Sequence, residues 1–80
     1  MQWDDEIDAT GLRCPLPVLK ASKRLRSMKP GEVLRLLADD PAAIVDVPHY
    51  CAESGNELIA PPTDDADGPA YLIRKNAPAN

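Results

Sequence analysis

The segment Gly11–Pro17, with the sequence Gly-Leu-Arg-Cys-Pro-Leu-Pro, constrains this chain most, because it fixes where a strand ends and a helix begins. Gly11 is typical of a turn out of the short strand that we predict at Glu6–Ala9. Pro15 suits the first position of a helix, where its missing N–H costs no hydrogen bond. The segment therefore predicts a strand–turn–helix unit with the Cys14 thiol at the helix N-terminus.

This setting makes Cys14 the main candidate for chemistry. A helix N-terminus and the neighbouring Arg13 both favour a thiolate, so we expect the pKa of Cys14 to lie below the usual range of a free thiol. Pro15 and Pro17 stiffen the segment and hold the sulfur in place. The alternative is that Cys14 is a small buried apolar residue, as many free cysteines are.

The spacing narrows the chemistry available to Cys14. Position 17 is proline, so the chain has no Cys-x-x-Cys pair, and disulfide exchange of the thioredoxin type is disfavoured. No histidine lies nearby in sequence, although folding could bring His49 closer. A chain of 80 residues is also small for a hydrolase cleft with an oxyanion hole. The remaining possibility is that the nucleophilic sulfur of Cys14 itself accepts a transferred group and later releases it.

The second cysteine and the single histidine carry weaker signals. We interpret Cys51 as a buried thiol of the second helix, and the alternative is a resolving thiol for Cys14. His49 and Cys51 are two residues apart and do not share a helix face. Two cysteines and one histidine do not make a structural zinc site, so we expect no metal.

The hydrophobic pattern predicts six elements in the order β-α-β-α-β-β. The apolar run Val33–Ala38 is typical of a central strand. Two helices on one face of a four-stranded mixed sheet, an α/β (α+β) two-layer sandwich, is the fold class that we expect. The strand order cannot be derived from the pattern. The other elements are a helix at Pro15–Met28 with an inward stripe of Val18, Ala21, Leu25 and Met28, and strands at Glu57–Ala60 and Tyr71–Arg74.

Turn residues set the remaining boundaries. Pro48 removes a helix hydrogen bond and disfavours the helical conformation before it, so we expect the second helix to be short. Its predicted landmarks are Asp40 as N-cap, a turn at Pro41–Val45, a second start near Asp46, and a helix from Val47 or Pro48 to Ser54 that ends at Gly55. The other predictions are a type II turn at Lys29–Glu32, a hairpin loop at Thr63–Pro69 and a frayed tail at Asn76–Asn80.

Charge and hydropathy restrict the partners. The net charge of −4 argues against direct nucleic-acid binding. Most basic residues fall within 13–29, which indicates either docking of an acidic partner or an ordinary solvated helix face. Leu16 points away from the inward stripe, so Leu16 and Lys20 are candidate docking residues. No run approaches the ~18 apolar residues of a membrane span and the N-terminus lacks a signal-peptide pattern, so we expect a cytoplasmic protein.

The segment Asp8–Pro17 resembles the N-terminal signature of the TusA/SirA-type sulfur carriers, whose hallmark is Cys-Pro-x-Pro at the start of the first helix. The similarity extends over about 6–75, which we take as the ordered core of a single domain, 1–80. Further matching segments are Met28–Glu32, Asp39–Ala42, Asp46–Pro48, Tyr50–Cys51 and Gly55–Leu58.

The resemblance implies a fold similar to the C-terminal domain of translation initiation factor three. It also implies that Cys14 accepts a persulfide sulfur from a cysteine desulfurase or rhodanese and passes it to a downstream acceptor, without a cofactor. In the family, such routes serve tRNA thiolation, molybdenum cofactor maturation and sulfur oxidation. Gly11, Pro15 and Pro17 would frame the site, and Arg13 would stabilise the anionic persulfide.

Two other functions remain open at this point. One is a non-enzymatic regulatory or interaction domain in which Cys14 is idle. The other is a redox switch that pairs Cys14 with Cys51. Neither composition nor motif spacing separates them from a sulfurtransferase.

Overall fold

The fold is a four-stranded mixed sheet covered on one face by two helices, as predicted. The computed structural model describes residues 3–65 and 68–76. The elements in chain order are β1 (Asp5–Asp8), α1 (Leu16–Ser27), β2 (Val33–Leu37), α2 (Ala43–Ser54), β3 (Glu57–Asp65) and β4 (Gly68–Arg74).

The strand order is β1-β2-β4-β3, which confirms that the apolar run of β2 is an interior strand. β1 and β2 are parallel, whereas β2 with β4 and β4 with β3 are antiparallel. Parallel strands end at the same edge of a sheet. The segments that follow β1 and β2 therefore lie side by side, and one of them contains Cys14.

The core lies between the helices and the sheet. Leu25 of α1 and Val47 of α2 are almost fully buried against β2 and β4. Pro17 rather than Val18 starts the buried stripe of α1, and Val18 is only half-buried. The reason is the spacing, since positions 17, 21, 25 and 28 share one helical face. The buried residues include Ala21, Leu25, Met28, Leu34, Leu36, Ala43, Val47, Cys51, Tyr71 and Ile73.

The prediction for the start of α1 is wrong by one residue. Pro15 is the N-cap and Leu16 is the first helical residue, which places Pro17 second. The Leu19 N–H donates to the Pro15 carbonyl at 3.0 Å, so Pro15 supplies the first helical acceptor. Cys14 therefore precedes the helix instead of standing at its cap. The Cys14–Pro15 peptide bond is cis.

The prediction of a short second helix is also wrong, because α2 starts at Ala43 and runs through Pro48. Pro48 removes only the hydrogen bond to the Ile44 carbonyl, and Ile44 lies on the exposed side, where water can bond to it. Ala43 and Val47 are both buried, so packing outweighs the local preference. The predicted N-cap Asp40 is wrong, because Ala42 is the N-cap of α2. Asp40 instead lies two residues earlier, where its Oδ1 accepts the Ala42 N–H at 3.1 Å.

The predicted hairpin loop at 63–69 is largely strand. Thr63 pairs with Ala70 and Asp65 with Gly68, while residues 66–67 lie outside the described part. The register of β3 shifts between Ala60 and Thr63, around Pro61 and Pro62. An edge strand with irregular pairing tolerates these missing N–H groups, so the strand continues past two prolines.

The C-terminal end of the described chain is anchored at Asn76, contrary to the predicted fraying. The Asn76 N–H donates to Asn56 Oδ1 at 2.9 Å, and the Asn76 amide donates to the Ser54 carbonyl at 3.2 Å. Residues 77–80 of the predicted tail lie outside the described part.

Two predicted turns are confirmed. The Glu32 N–H donates to the Lys29 carbonyl at 3.1 Å with Gly31 at φ 89°, as in a type II turn. Gly55 ends α2 with φ 80°. Over residues 3–65 and 68–76, neither helix has the length and apolarity needed to cross a membrane.

Candidate active site around Cys14

Cys14 is exposed in the connection between β1 and α1, and the connection after β2 holds it there. The Gly11 N–H donates to Asp39 Oδ1 at 2.9 Å, and the Cys14 N–H donates to Asp40 Oδ2 at 2.5 Å. Gly11 has φ 82°, a left-handed conformation that glycine adopts without a steric penalty. Two carboxylates thus fix the backbone that carries the thiol.

Asp39 and Asp40 are the partners of Gly11 and Cys14, respectively, and the sequence analysis did not identify them as such. They follow β2, and they meet the Cys14 segment because β1 and β2 are parallel neighbours. The sequence does show a pair of carboxylates directly after an apolar strand. That these carboxylates contact the Cys14 segment could not be predicted, because the contact depends on the strand order, which the hydrophobic pattern does not provide.

The Cys14 groove is a depression of about 200 Å³ between the two helices. α2 contributes four residues at helical spacing, so that they share one face toward α1. Within this face, His49 Nε2 lies 3.3 Å from Glu53 Oε1. Folding therefore brings His49 into the same groove as Cys14. The groove is lined by Cys14, Pro15, Val18, Asp46, His49, Tyr50 and Glu53.

The prediction of a low thiol pKa at Cys14 is wrong. The Asp46 carboxylate, which lines the same groove, raises the pKa of Cys14 chiefly by a hydrogen-bonding interaction with the protonated thiol, with smaller effects from desolvation and from the charges of Asp46 and Asp40. The start of α1 offers few free N–H groups that could stabilise the thiolate and lower the pKa of Cys14. Pro15 and Pro17 carry no N–H. In addition, the Leu16 N–H donates to the Arg13 carbonyl at 2.8 Å.

Arg13 is exposed, and the charge of its guanidinium helps to lower the pKa of Asp40. The pKa of Asp40 is held below its ordinary value, first by the Cys14 N–H, then by the Ala42 N–H, and more weakly by the Arg13 guanidinium. Asp40 is therefore ionised at neutral pH. Arg13 borders a second depression, of about 240 Å³, on the side of Asp39, Asp40 and Pro41.

Cys51 is a buried core thiol, as interpreted from the sequence. Its side chain faces the sheet and is 3% exposed. Burial raises the pKa of Cys51 to about 11. A thiol that is both covered and protonated is a poor partner in thiol–disulfide exchange, which needs an accessible thiolate. This environment disfavours the redox switch.

The outward face of α1 combines apolar and basic side chains beside the groove. Leu16 is 46% exposed, as predicted, and Leu19 is 56% exposed. Arg24 pairs with Asp5 at 2.6 Å on the side of β1. We call the remaining exposed set the α1 surface; it consists of Leu16, Leu19, Lys20, Lys23 and Arg26.

Comparison with known proteins identifies the family. The family model described as Sulfurtransferase TusA matches residues 5–75. A SirA-like protein from Desulfitobacterium hafniense, known from a crystal structure, is similar with a TM-score of 0.71 and 24% sequence identity. The match covers 89% of this chain and 95% of that one, and at this identity it supports the fold alone. Since the family model spans nearly the whole chain, this protein belongs to the TusA sulfurtransferase family.

Proposed function

We propose that this protein is a sulfur carrier whose Cys14 is loaded as a persulfide and then unloaded to an acceptor thiol. The observation that carries the proposal is the exposed Cys14 at an open groove, with its backbone fixed by Asp39 and Asp40. Cys51, by contrast, is buried in the core. Of the two thiols, Cys14 is the one that a partner protein can reach.

Loading is a thiol exchange that needs neither metal nor organic cofactor. The Cys14 sulfur attacks the terminal sulfur of a donor persulfide, a new S–S bond forms, and the old S–S bond breaks. The electron pair of the broken bond stays on the donor sulfur, which takes up the proton that Cys14 gives up. The products are Cys14–S–SH and the donor thiol, with no net oxidation.

The donor in this proposal is a cysteine desulfurase or a rhodanese, and the acceptor is a downstream sulfur-transfer protein. The end use is tRNA thiolation, molybdenum cofactor maturation or sulfur oxidation. We propose a cytoplasmic location, because a reducing compartment keeps both thiols free. Gly11, Pro15 and Pro17 shape the segment, and Arg13 stabilises the persulfide anion.

The α1 surface is the proposed docking site for these partners. Leu16 and Leu19 supply apolar contact area, and Lys20 with its basic neighbours suits an acidic partner. The surface begins two residues after Cys14, so a protein bound there has its own sulfur close to the thiol.

Intact-mass spectrometry after incubation with a cysteine desulfurase and cysteine tests the function. We expect a gain of about 32 Da, the mass of one sulfur atom, that dithiothreitol reverses. A rhodanese with thiosulfate serves as the second donor. The absence of any gain with either donor would contradict the proposal.

Replacing Leu16 with aspartate is expected to slow sulfur transfer from the desulfurase by roughly fivefold or more, because a charge then faces the apolar part of a docking protein. The measurement is the initial rate of persulfide formation. Ile44→Asp is the matched control, since Ile44 is 60% exposed but lies on α2, outside the α1 surface. Equal rates for the two variants would rule out docking at Leu16.

A further inference from the structure

The outward face of α2 is apolar. Ile44 and Val45 lie in its first turn and are 60% and 69% exposed, more than any other large apolar side chain among the described residues. Positions 45, 48 and 52 follow one another at intervals of three and four and therefore share one side of the helix. We call this exposed set the α2 surface; it consists of Ile44, Val45, Pro48 and Ala52.

An apolar outward face is unusual for a helix that lies on the surface of a domain. Such a helix normally turns apolar residues to the core and polar residues to solvent. α2 already buries Ala43, Val47 and Cys51 against the sheet, so the α2 surface is a second apolar side of the same helix. Contiguous exposed apolar residues mark a contact with another molecule. We therefore expect a partner to cover the α2 surface.

The charge around the α2 surface is negative. α2 carries the carboxylates of Asp46 and Glu53, and the sequence has no lysine or arginine between Arg35 and Arg74. The α1 surface, in contrast, contains three basic residues. Docking surfaces are complementary in charge to the proteins that they bind. The α1 surface thus suits an acidic partner, and the α2 surface suits a partner with an apolar contact area flanked by basic side chains.

The α2 surface borders the Cys14 groove. Asp46 and His49 line the groove, and they are the next residue after Val45 and the residue one helical turn beyond it. Asp40, three residues before α2, accepts the Cys14 N–H at 2.5 Å. A protein that covers the α2 surface therefore lies beside the thiol, on the side opposite to α1.

We propose that the α2 surface docks the sulfur acceptor, a protein with a basic and apolar contact area. The inference rests on the proposed carrier function and refines its docking site. The donor binds on the α1 surface, and the acceptor approaches the groove from α2.

Loading changes the charge of the groove in the direction that favours this order of binding. The donor meets Cys14 as a thiol, whereas the acceptor meets it as a persulfide. The persulfide anion adds one negative charge to a groove whose α2 side already carries Asp46 and Glu53. A basic partner is attracted more strongly by the loaded carrier, and an acidic partner less strongly. The basic partner is therefore the one that collects the sulfur.

The transfer to the docked acceptor is balanced in atoms and electrons. The acceptor thiolate attacks the terminal sulfur of Cys14–S–SH, an S–S bond to the acceptor forms, and the bond between Sγ and the terminal sulfur breaks. The electron pair returns to Sγ, which takes the proton given up by the acceptor thiol. The products are the acceptor persulfide and the Cys14 thiol, with no net oxidation.

Replacing Val45 with aspartate tests the α2 surface, because the added charge disrupts the apolar contact, while a carboxylate in the first turn of a helix is compatible with folding. In a deletion strain that expresses the variant, we expect the ratio of loaded to unloaded carrier to rise roughly fivefold, the scale of one important interface residue. Loading by desulfurase in vitro stays at the wild-type rate. Intact-mass spectrometry after trapping with iodoacetamide at lysis measures the ratio, since the loaded carrier is about 32 Da heavier.

Two controls separate docking from a general effect of charge. Leu16→Asp places the same charge on the α1 surface and is not expected to raise the ratio, because its loading is slowed. Glu53→Gln and Glu57→Gln are a matched pair of exposed carboxylates, with side chains 69% and 59% exposed, but Glu57 is paired with Arg74 on the sheet. We expect Glu53→Gln to raise the ratio about twofold, the scale of an exposed charged contact, and Glu57→Gln to leave it unchanged.

The outcomes distinguish failure of the inference from failure of the proposed function. An unchanged ratio in folded Val45→Asp with normal loading would overturn the inference and leave the carrier function standing. Slower loading in vitro with a lower ratio would assign the α2 surface to the donor, and a wild-type dimer that Val45→Asp converts to a monomer would assign it to a second copy of this chain; either result overturns the inference. If wild type carries no extra sulfur in vitro or in cells, the carrier function itself is wrong.

Discussion

Replacing Cys14 with serine is expected to abolish sulfur loading, whereas the same change at Cys51 leaves it at the wild-type level. Serine offers no sulfur with which to form a persulfide, and the buried Cys51 cannot take over, because it is 3% exposed with a pKa raised to about 11. The measurement is the mass gain of about 32 Da after incubation with desulfurase and cysteine.

The Cys51 variant needs its own control, since a hydroxyl in the core carries a cost that a thiol does not. Cys51→Ala removes the sulfur without adding a polar group, and both variants are compared by circular dichroism before loading. Persulfide formation that persists in Cys14→Ser, or that vanishes in a folded Cys51→Ala, would contradict the assignment of Cys14.

The same variants discriminate between the competing functions. In a regulatory domain with an idle cysteine, Cys14→Ser complements a deletion strain as well as wild type does. In a redox switch, oxidation produces a mobility shift that either serine variant abolishes. The carrier function predicts a different pattern, in which Cys14→Ser fails to complement and Cys51→Ala succeeds.

The sequence was sufficient for the parts of this protein that depend on local spacing. Gly11 and Pro15 marked the passage from strand to helix to within one residue, and the apolar run of β2 indicated an interior strand. The helical spacing of α1 also predicted that Leu16 faces outward. In each case, residues close together in the sequence determine the local structure.

The environment of Cys14 could not be predicted in this way, because it depends on the strand order. Asp39 and Asp40 reach the Cys14 segment only because β1 and β2 are parallel neighbours. Asp46 lines the groove beside Cys14 because α2 starts early and continues through Pro48. The pKa of Cys14 was therefore predicted with the wrong sign from Arg13 and the helix terminus alone.

The same dependence on the sheet predicts a large effect of a core substitution remote from the thiol. Leu36→Ala is expected to lower the free energy of unfolding by about 2–5 kcal/mol, the usual cost of a cavity left by a buried leucine. Leu36 has no exposed surface, and it lies in register between Ile7 of β1 and Tyr71 of β4. The total free energy of unfolding expected for a chain of 80 residues is roughly 4–12 kcal/mol, so this loss is a large part of it.

Urea denaturation measures this loss, with Leu19→Ala as the matched control. Leu19 is 56% exposed on α1, so the same truncation there is expected to change stability by no more than about 0.5 kcal/mol. A loss below about 1 kcal/mol in Leu36→Ala would mean that packing of this strand contributes little to stability.

Leu36 also lies three residues before Asp39, on the strand that precedes both anchoring carboxylates. Near its unfolding midpoint, Leu36→Ala should therefore expose Cys51 to alkylation and release Cys14 from Asp40 in one transition.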